Sequence, residues 1–215
     1  MITIGIADDR PLIRRGLRHV FSAAPDLEVV LEVDSGFELL KEIQVCPCDV
    51  LVLDVSMPGP GFSETLVRLT KHHPDVGVLV LTMHPEDQYA LRALREGAKG
   101  YLTKDVHPEE LLQAVRRIAA GGRYLSPSLG ELLVHGLLAE SEQPRHAELS
   151  DREFEVLRLV GAGLSSVEIA ARLSISPKTV GTYRGRIREK LNLSSTTAMI
   201  RYAIEEGLSE SSVRN

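Results

Sequence analysis

Only two of the 215 residues are cysteine, Cys46 and Cys48, too few to staple a small secreted fold. Cys-Pro-Cys alone also makes a poor metal site, so both are read as reduced thiols of a cytoplasmic protein, with redox sensing a lesser reading. Long apolar runs are missing as well. The longest are four-residue pieces such as Val50–Leu53, against the ~20 residues that a membrane helix needs. The start, Met1-Ile2-Thr3-Ile4, lacks the basic stretch and small-residue cleavage site of a secretion signal. A secreted or membrane-inserted protein is therefore not expected. What is present, 43% hydrophobic and 26% charged residues, is ordinary globular composition, and the length allows one large domain or two small ones.

Charge is spread unevenly. Residues 1–146 carry 15 Lys/Arg against 21 Asp/Glu, and residues 147–215 carry 10 against 9. Within the second part, Lys178, Arg184, Arg186, Arg188 and Lys190 face only Glu189. An acidic first part and a second part with one basic stretch suggest two jobs.

From Met1 to about Gly121, β-rich runs at Ile2–Ala7, Leu27–Val33, Val50–Leu53, Val78–Leu81 and Gly100–Leu102 alternate with helical patterns. Those helices are expected at Pro11–Ala23, Gly36–Ile43, Phe62–His72, Glu86–Glu96 and Pro108–Ala120. Regular alternation predicts an α/β doubly wound, five-stranded parallel sheet covered on both faces. The third and fourth strands read Val-Leu-Val-Leu, the continuous apolar type of buried parallel strands. A further helix is expected over Ser126–Leu138, then a polar linker over Glu140–His146. Beyond it no strand pattern remains. Ser150-Asp-Arg-Glu153 and Ser165-Ser-Val-Glu168 are capping boxes, and Ser176-Pro177 supplies an N-cap with a first-turn proline. With a last helix from Thr196 to Glu206, stopped by Gly207, these predict an all-α four-helix domain. The expected division is 1–121, a helical linker 122–146, and 147–215.

In an open parallel sheet, ligands bind beyond the carboxyl ends of the strands. Asp8 and Asp9 follow strand one, Asp54 strand three, Thr82 strand four and Lys104 strand five. Three neighbouring carboxylates repel one another, so a cation is expected among them, and Mg²⁺ suits because it takes oxygen ligands from one or two carboxylates, water and phosphate. A carboxylate can also act as a nucleophile and form an aspartyl-phosphate. A cation such as Lys104 and a hydroxyl donor such as Thr82 would then stabilise the phosphoryl oxygens. Taken singly, each residue has a plain alternative: Asp as a turn or cap residue, Thr82 as a strand end, Lys104 as a loop charge. All of them at strand ends together are much harder to explain that way.

These residues carry a resemblance. Ile6-Ala-Asp-Asp9, Leu53-Asp-Val-Ser-Met-Pro58 with Gly61, Leu81-Thr82 and Gly97-Ala-Lys-Gly-Tyr-Leu-Thr-Lys104 resemble the receiver domain of bacterial two-component response regulators. The resemblance implies the strand order 2-1-3-4-5 and Asp54 as phosphoacceptor. It implies Mg²⁺ bound by Asp9 and Asp54, by Asp8 mainly through water, and by the Ser56 backbone carbonyl. Thr82 and Lys104 would contact the phosphoryl group, and Tyr101 matches the switch aromatic that turns inward. Ser56 and His84 would border the path of attacking water. Two departures are mild: Asp105 stands where many receivers have proline, and Gly59-Pro60-Gly61 is unusually rich in Gly and Pro.

On the third helix of the second domain, steps of 100° per residue bring Ile187 and Leu191 each within ~20° of Val180, so these three form the buried stripe. Lys178, Gly181, Thr182, Gly185 and Glu189 lie opposite. Arg186 and Arg188 flank that face, and Arg184 and Lys190 sit nearer the core edges. Cations beside a helix face suit phosphates along a groove, although most charge runs are simply solvated. Two interior glycines at about 1 kcal/mol each relative to Ala argue for a backbone that must approach something closely. Two helices around Ser174-Ile-Ser176 make a helix-turn-helix.

Leu149-Ser-Asp-Arg-Glu-Phe-Glu-Val-Leu157, Gly163-Leu-Ser-Ser-Val-Glu-Ile-Ala170 and Ser176-Pro-Lys-Thr-Val180 with Lys190-Leu191 resemble the LuxR-type module. The whole chain thus resembles the NarL/FixJ class, with regulators of sugar-phosphate uptake as the expected nearest kin. The resemblance implies contacts to double-stranded DNA from Lys178, Thr179, Gly181, Thr182, Arg184, Gly185, Arg186, Arg188 and Lys190. Gly181, Thr182 and Gly185 would be the base-reading positions, and two glycines there predict sparse direct readout. A cognate histidine kinase and a homodimer of the phosphorylated form are the implied partners, with no catalysis beyond self-phosphorylation and slow autodephosphorylation. Met199, Ile200, Tyr202 and Ala203 on the last helix are read equally as dimer surface or core. Two rivals stay open: a hydrolase using an aspartyl-phosphate, although such sites usually show Asp-x-Asp where Asp8 and Asp9 are adjacent, and a helical module binding RNA or protein.

Overall fold

The computed structural model describes residues 1–83, 86–131, 145–173 and 175–208. It divides into two compact units, Met1–Ser141 and Glu142–Asn215.

In the first unit, β1 (Ile2–Ala7), β2 (Leu27–Val33), β3 (Val50–Leu53), β4 (Gly77–Thr82) and β5 (Gly100–Thr103) alternate with five helices. These are α1 (Pro11–Ser22), α2 (Gly36–Glu42), α3 (Phe62–His72), α4 (Glu86–Arg95) and α5 (Pro108–Ala119). The sheet is parallel throughout, in the order β2-β1-β3-β4-β5. Every residue of β3 and β4 is buried, as strands covered on both faces require. One layer of the core joins Ile4, Ile6, Val50, Val52, Leu79 and Leu81 of the sheet to Leu17 and Phe21 of α1 and Leu111, Val115 and Ile118 of α5. Pro11 and Pro108 open their helices at a position where the missing N–H costs nothing.

The chain does not leave this unit at Gly121. Tyr124 bridges to Gly100 beside β5, its N–H donates to the Lys99 carbonyl (2.8 Å), and its hydroxyl donates to Glu110 (2.9 Å). Leu129 is fully buried. The first part of the expected linker is therefore packed structure, because Tyr124 and Leu129 have apolar surface to bury. Residues 127–131 are helical; the remainder of the helix expected to Leu138, and Glu140–Pro144 of the linker, lie outside the described residues.

The second unit begins with a single 3₁₀ turn at Arg145–Glu148, followed by α6 (Asp151–Gly161), α7 (Ser166–Arg172), α8 (Pro177–Lys190) and α9 (Thr196–Glu205). Both capping boxes form: Ser150 with Glu153, and Ser165 with Glu168. The Ser176 side chain caps α8. Helix α6 packs on α8 and α9, and α7 on α8. Phe154, Leu157, Ile169, Val180, Ile187, Leu191, Met199 and Tyr202 form the interior.

Candidate functional site

The sheet's carboxyl edge gathers the expected residues because the ladder continues one residue past three strands. Asp8 N–H donates to the Val33 carbonyl (3.2 Å), Asp54 N–H to Ala7 (2.9 Å) and Lys104 N–H to Thr82 (2.8 Å). Asp8, Asp54 and Thr82 are buried, and Asp9 is partly exposed. Asp8, Asp9 and Asp54 can each offer an oxygen within 4.8 Å of the others. Lys104 Nζ stands 2.6 Å from Asp8 Oδ2 and 2.9 Å from Asp54 Oδ2. Asp8 Oδ1 accepts from the Arg10 N–H (2.9 Å), and Arg14 donates to the Asp8 carbonyl (2.6 Å). That is a turn before α1 rather than a side-chain cap of the helix.

Oδ1 of Asp9 and Oδ1 of Asp54 are buried and accept no hydrogen bond among the described residues. Burial, then the Asp54 and Asp8 charges, raise the Asp9 carboxyl above its usual range, against the pull of Arg10 and Lys104. One ammonium thus faces three carboxylates, with two shielded oxygens unused. This oxygen-only set fits a hard divalent cation such as Mg²⁺.

Tyr101 is buried in β5, and Ser56 lies half-buried in the loop after β3. His84 lies outside the described residues. The Gly59 turn is shaped by backbone contact: Gly59 has φ +125°, and a Cβ there would lie 3.1 Å from the Phe37 nitrogen. The Pro58 carbonyl accepts from Gly36 N–H (2.8 Å), docking this loop onto α2.

On α8, Lys178, Arg186 and Arg188 are exposed, and no hydrogen bond or ion pair joins their side chains to other described residues. Thr182 is exposed, and its hydroxyl donates to the Lys178 carbonyl (3.2 Å). A Cβ on Gly181 or Gly185 would meet nothing within 4 Å, so the packing of the unit does not require glycine at either. Thr179 is tied to the cap, its N–H donating to Ser176 Oγ (3.1 Å). Arg184 donates to Ser166 Oγ (2.8 Å) and Thr196 Oγ1 (2.5 Å), and Lys190 Nζ pairs with buried Glu153 (2.7 Å).

Comparison with known proteins decides the family. Residues 4–116 match "Response regulator receiver domain", and residues 147–203 match "Bacterial regulatory proteins, luxR family". The response regulator GacA of Pseudomonas protegens is 36% identical over 214 residues, spanning 99% of this chain and all of that protein. The chain is a response regulator of the NarL/FixJ class. The oxygen regulatory protein NreC of Staphylococcus carnosus is 35% identical over 95% of this chain and 98% of its own. The RcsB response regulator of Salmonella typhimurium aligns with a TM-score of 0.61 at 27% identity, over 95% of this chain and 100% of that one. A solved RcsB–DNA complex aligns at 0.58 and 28%, over 94% and 98%. Kinship with regulators of sugar-phosphate uptake has no support among these.

As a class, such regulators bind DNA to control transcription and are not enzymes in the usual sense. Receiver domains generally bind Mg²⁺ at an acidic pocket of the kind formed by Asp8, Asp9 and Asp54. No helix among the described residues is long and apolar enough to cross a membrane. Of the residues offered as dimer surface or core, Met199, Tyr202 and Ala203 are buried within the unit, and Ile200 is half-buried. The sequence reading missed Arg10 and Arg14, which hold the Asp8 turn, although the place of Arg10 directly after Asp8-Asp9 was a signal. It also missed His146, whose Nδ1 lies 3.1 Å from the Tyr202 hydroxyl and whose ring packs, tilted by 31°, against Phe154.

Proposed function

We propose that Asp54 takes a phosphoryl group from a sensor histidine kinase, or from a small phosphodonor, and that this group controls dimerisation and promoter binding. One observation carries the reading: a buried carboxylate has one oxygen against an ammonium and the other unbonded beside two further carboxylates. The Asp54 carboxylate attacks phosphorus in line, and the donor nitrogen or oxygen leaves with the bonding pair. Mg²⁺, held by Asp8, Asp9, Asp54 and the Ser56 carbonyl, would offset the charge of the phosphoryl oxygens. Lys104 already lies within reach of Asp54 Oδ2 and transfers its ammonium to a phosphoryl oxygen. The Thr82 hydroxyl donates to another, and Tyr101, already buried in β5, is the switch aromatic that the Thr82 movement holds in place. Turnover of the acyl phosphate is slow self-dephosphorylation.

In this reading residues 1–121 receive the signal, 122–146 connect, and 147–215 bind double-stranded DNA in the bacterial cytoplasm. Phosphorylation acts by favouring one of two states, a monomer with its recognition helix covered or an open homodimer. A dimer calls for two half-sites about one helical turn apart. Helix α8 enters the major groove with Gly181, Thr182 and Gly185 toward the bases. Because the Thr182 hydroxyl proton is given to Lys178, the residue offers its methyl group, which suits a thymine methyl. The solved RcsB–DNA complex supports this placement by analogy. The test is duplex binding by the full chain with and without acetyl phosphate. Binding should tighten with the donor for wild type and stay at the basal level for Asp54→Ala. Equal tightening of both would overturn the proposal.

A further inference from the structure

The five cations of the basic run are not equivalent. Lys178, Arg186 and Arg188 are exposed, and their side chains have no partner among the described residues. Arg184 is half-buried, and its two terminal nitrogens reach hydroxyls on two other helices. Ser166 is the first residue of α7 and Thr196 the first of α9, so one guanidinium spans from α8 to the starts of both neighbours. Its rigid planar fork suits this, since two donors leave the same plane at fixed angles. Lys190 is tied at the other end of α8. It pairs with Glu153, which is 2% exposed and also accepts from the Ser150 N–H (2.8 Å). Burial works against the ionised Glu153, but the Lys190 and Ser150 hydrogen bonds outweigh it and hold the carboxyl below its ordinary range.

Two clamps thus fix α8 against the rest of its domain, one near its middle and one at its end. We infer that the basic run divides into two roles. Lys178, Arg186 and Arg188 meet DNA phosphates, while Arg184 and Lys190 are positioning residues that set the pose of the recognition helix. The inference rests on the proposed DNA-binding role of α8 and refines it, because it removes two of the expected phosphate contacts.

Salt dependence separates the two roles. Each phosphate contact on B-DNA adds about 0.9 to the slope of log affinity against log salt, whereas a positioning residue adds none. The assay uses the full chain treated with acetyl phosphate and Mg²⁺, one duplex recovered by selection on the wild type, and a potassium chloride series. Arg186→Gln and Arg188→Gln should each reduce the slope by about 0.9. Arg184→Gln should lower affinity several-fold at every salt concentration and leave the slope unchanged. Ser166→Ala with Thr196→Ala should reproduce that loss, and adding Arg184→Gln to the pair should cost nothing further.

Because Lys190→Gln strands a buried carboxylate, it is tested as Lys190→Gln with Glu153→Gln, folded by circular dichroism, and should also keep the wild-type slope. A fall in slope for Arg184→Gln equal to that of Arg186→Gln would overturn the inference. So would full wild-type affinity in Arg184→Gln. A slope unmoved by Arg186→Gln and Arg188→Gln would instead overturn α8 as the DNA face.

Discussion

Lys104 holds its ammonium nitrogen 2.9 Å from Oδ2 of Asp54, with the two side chains only 3% and 2% exposed. The same nitrogen reaches Asp8 at 2.6 Å. It is the one cation within ion-pair distance of these carboxylates among the described residues. Removing one partner of a buried pair typically costs about 3–5 kcal/mol, because the remaining charge is left uncompensated. Lys104→Met should therefore lower the melting temperature sharply, and Mg²⁺ should raise it more in the variant than in wild type. Thermal melts with and without Mg²⁺ check this, and an equal Mg²⁺ response in both proteins would contradict it.

Gly59 should not tolerate a side chain. Its φ of +125° and the 3.1 Å approach of a Cβ to the Phe37 nitrogen put backbone in the way. Gly59→Ala should destabilise the first unit by more than ~1 kcal/mol. It should also slow phosphorylation by acetyl phosphate, since the same loop carries Ser56. Denaturant unfolding and labelling rates measure the two effects.

Gly185 and Gly181 should behave in the opposite way. Alanine meets nothing within 4 Å at either position. Each substitution should raise stability by about 1 kcal/mol through helix propensity. Each should nevertheless weaken DNA binding if the bare backbone is what approaches the groove. A more stable variant with unchanged affinity would separate these glycines from recognition.

His146 makes the second unit sensitive to pH. Burial lowers its pKa below the ordinary value, against the opposing pull of Glu206 at 3.7 Å. Tyr202 and Phe154 also face the ring, and Arg145 lies beside Tyr202. The folded state therefore binds the proton less readily than the unfolded chain. Its contribution to stability is present above the unfolded pKa of about 6.5 and is lost as pH falls through the folded value. The melting temperature should fall between pH 7.5 and 5.5 (about one unit either side of 6.5), and His146→Phe should show a smaller fall. Melts across that range give the comparison.

The five carboxyl-edge residues were legible because a parallel α/β sheet delivers the residue after each strand to one edge, and strand ends can be read from apolar runs that stop. The buried faces of α6, α7 and α8 were legible from period and caps. Pairings across the fold were not. The helical wheel sets Arg184 and Lys190 toward the core edges, but nothing local says that Ser166, Thr196 and Glu153 wait there. Met199, Tyr202 and Ala203 read equally as core or interface, because an apolar stripe does not name what covers it. Tyr124 and Leu129 read as part of a helical linker, since nothing local says that their apolar surface packs on the first unit.

The central claim is that Asp54 becomes an acyl phosphate in a Mg²⁺-dependent way. The direct measurement is intact-protein mass after incubation with acetyl phosphate, with Mg²⁺ or with chelator, for wild type and Asp54→Ala. Wild type should gain one phosphoryl group only with Mg²⁺, labile to hydroxylamine, and Asp54→Ala should gain none. A wild-type chain that stays unmodified with Mg²⁺, or an Asp54→Ala chain modified to the same extent, would contradict the account.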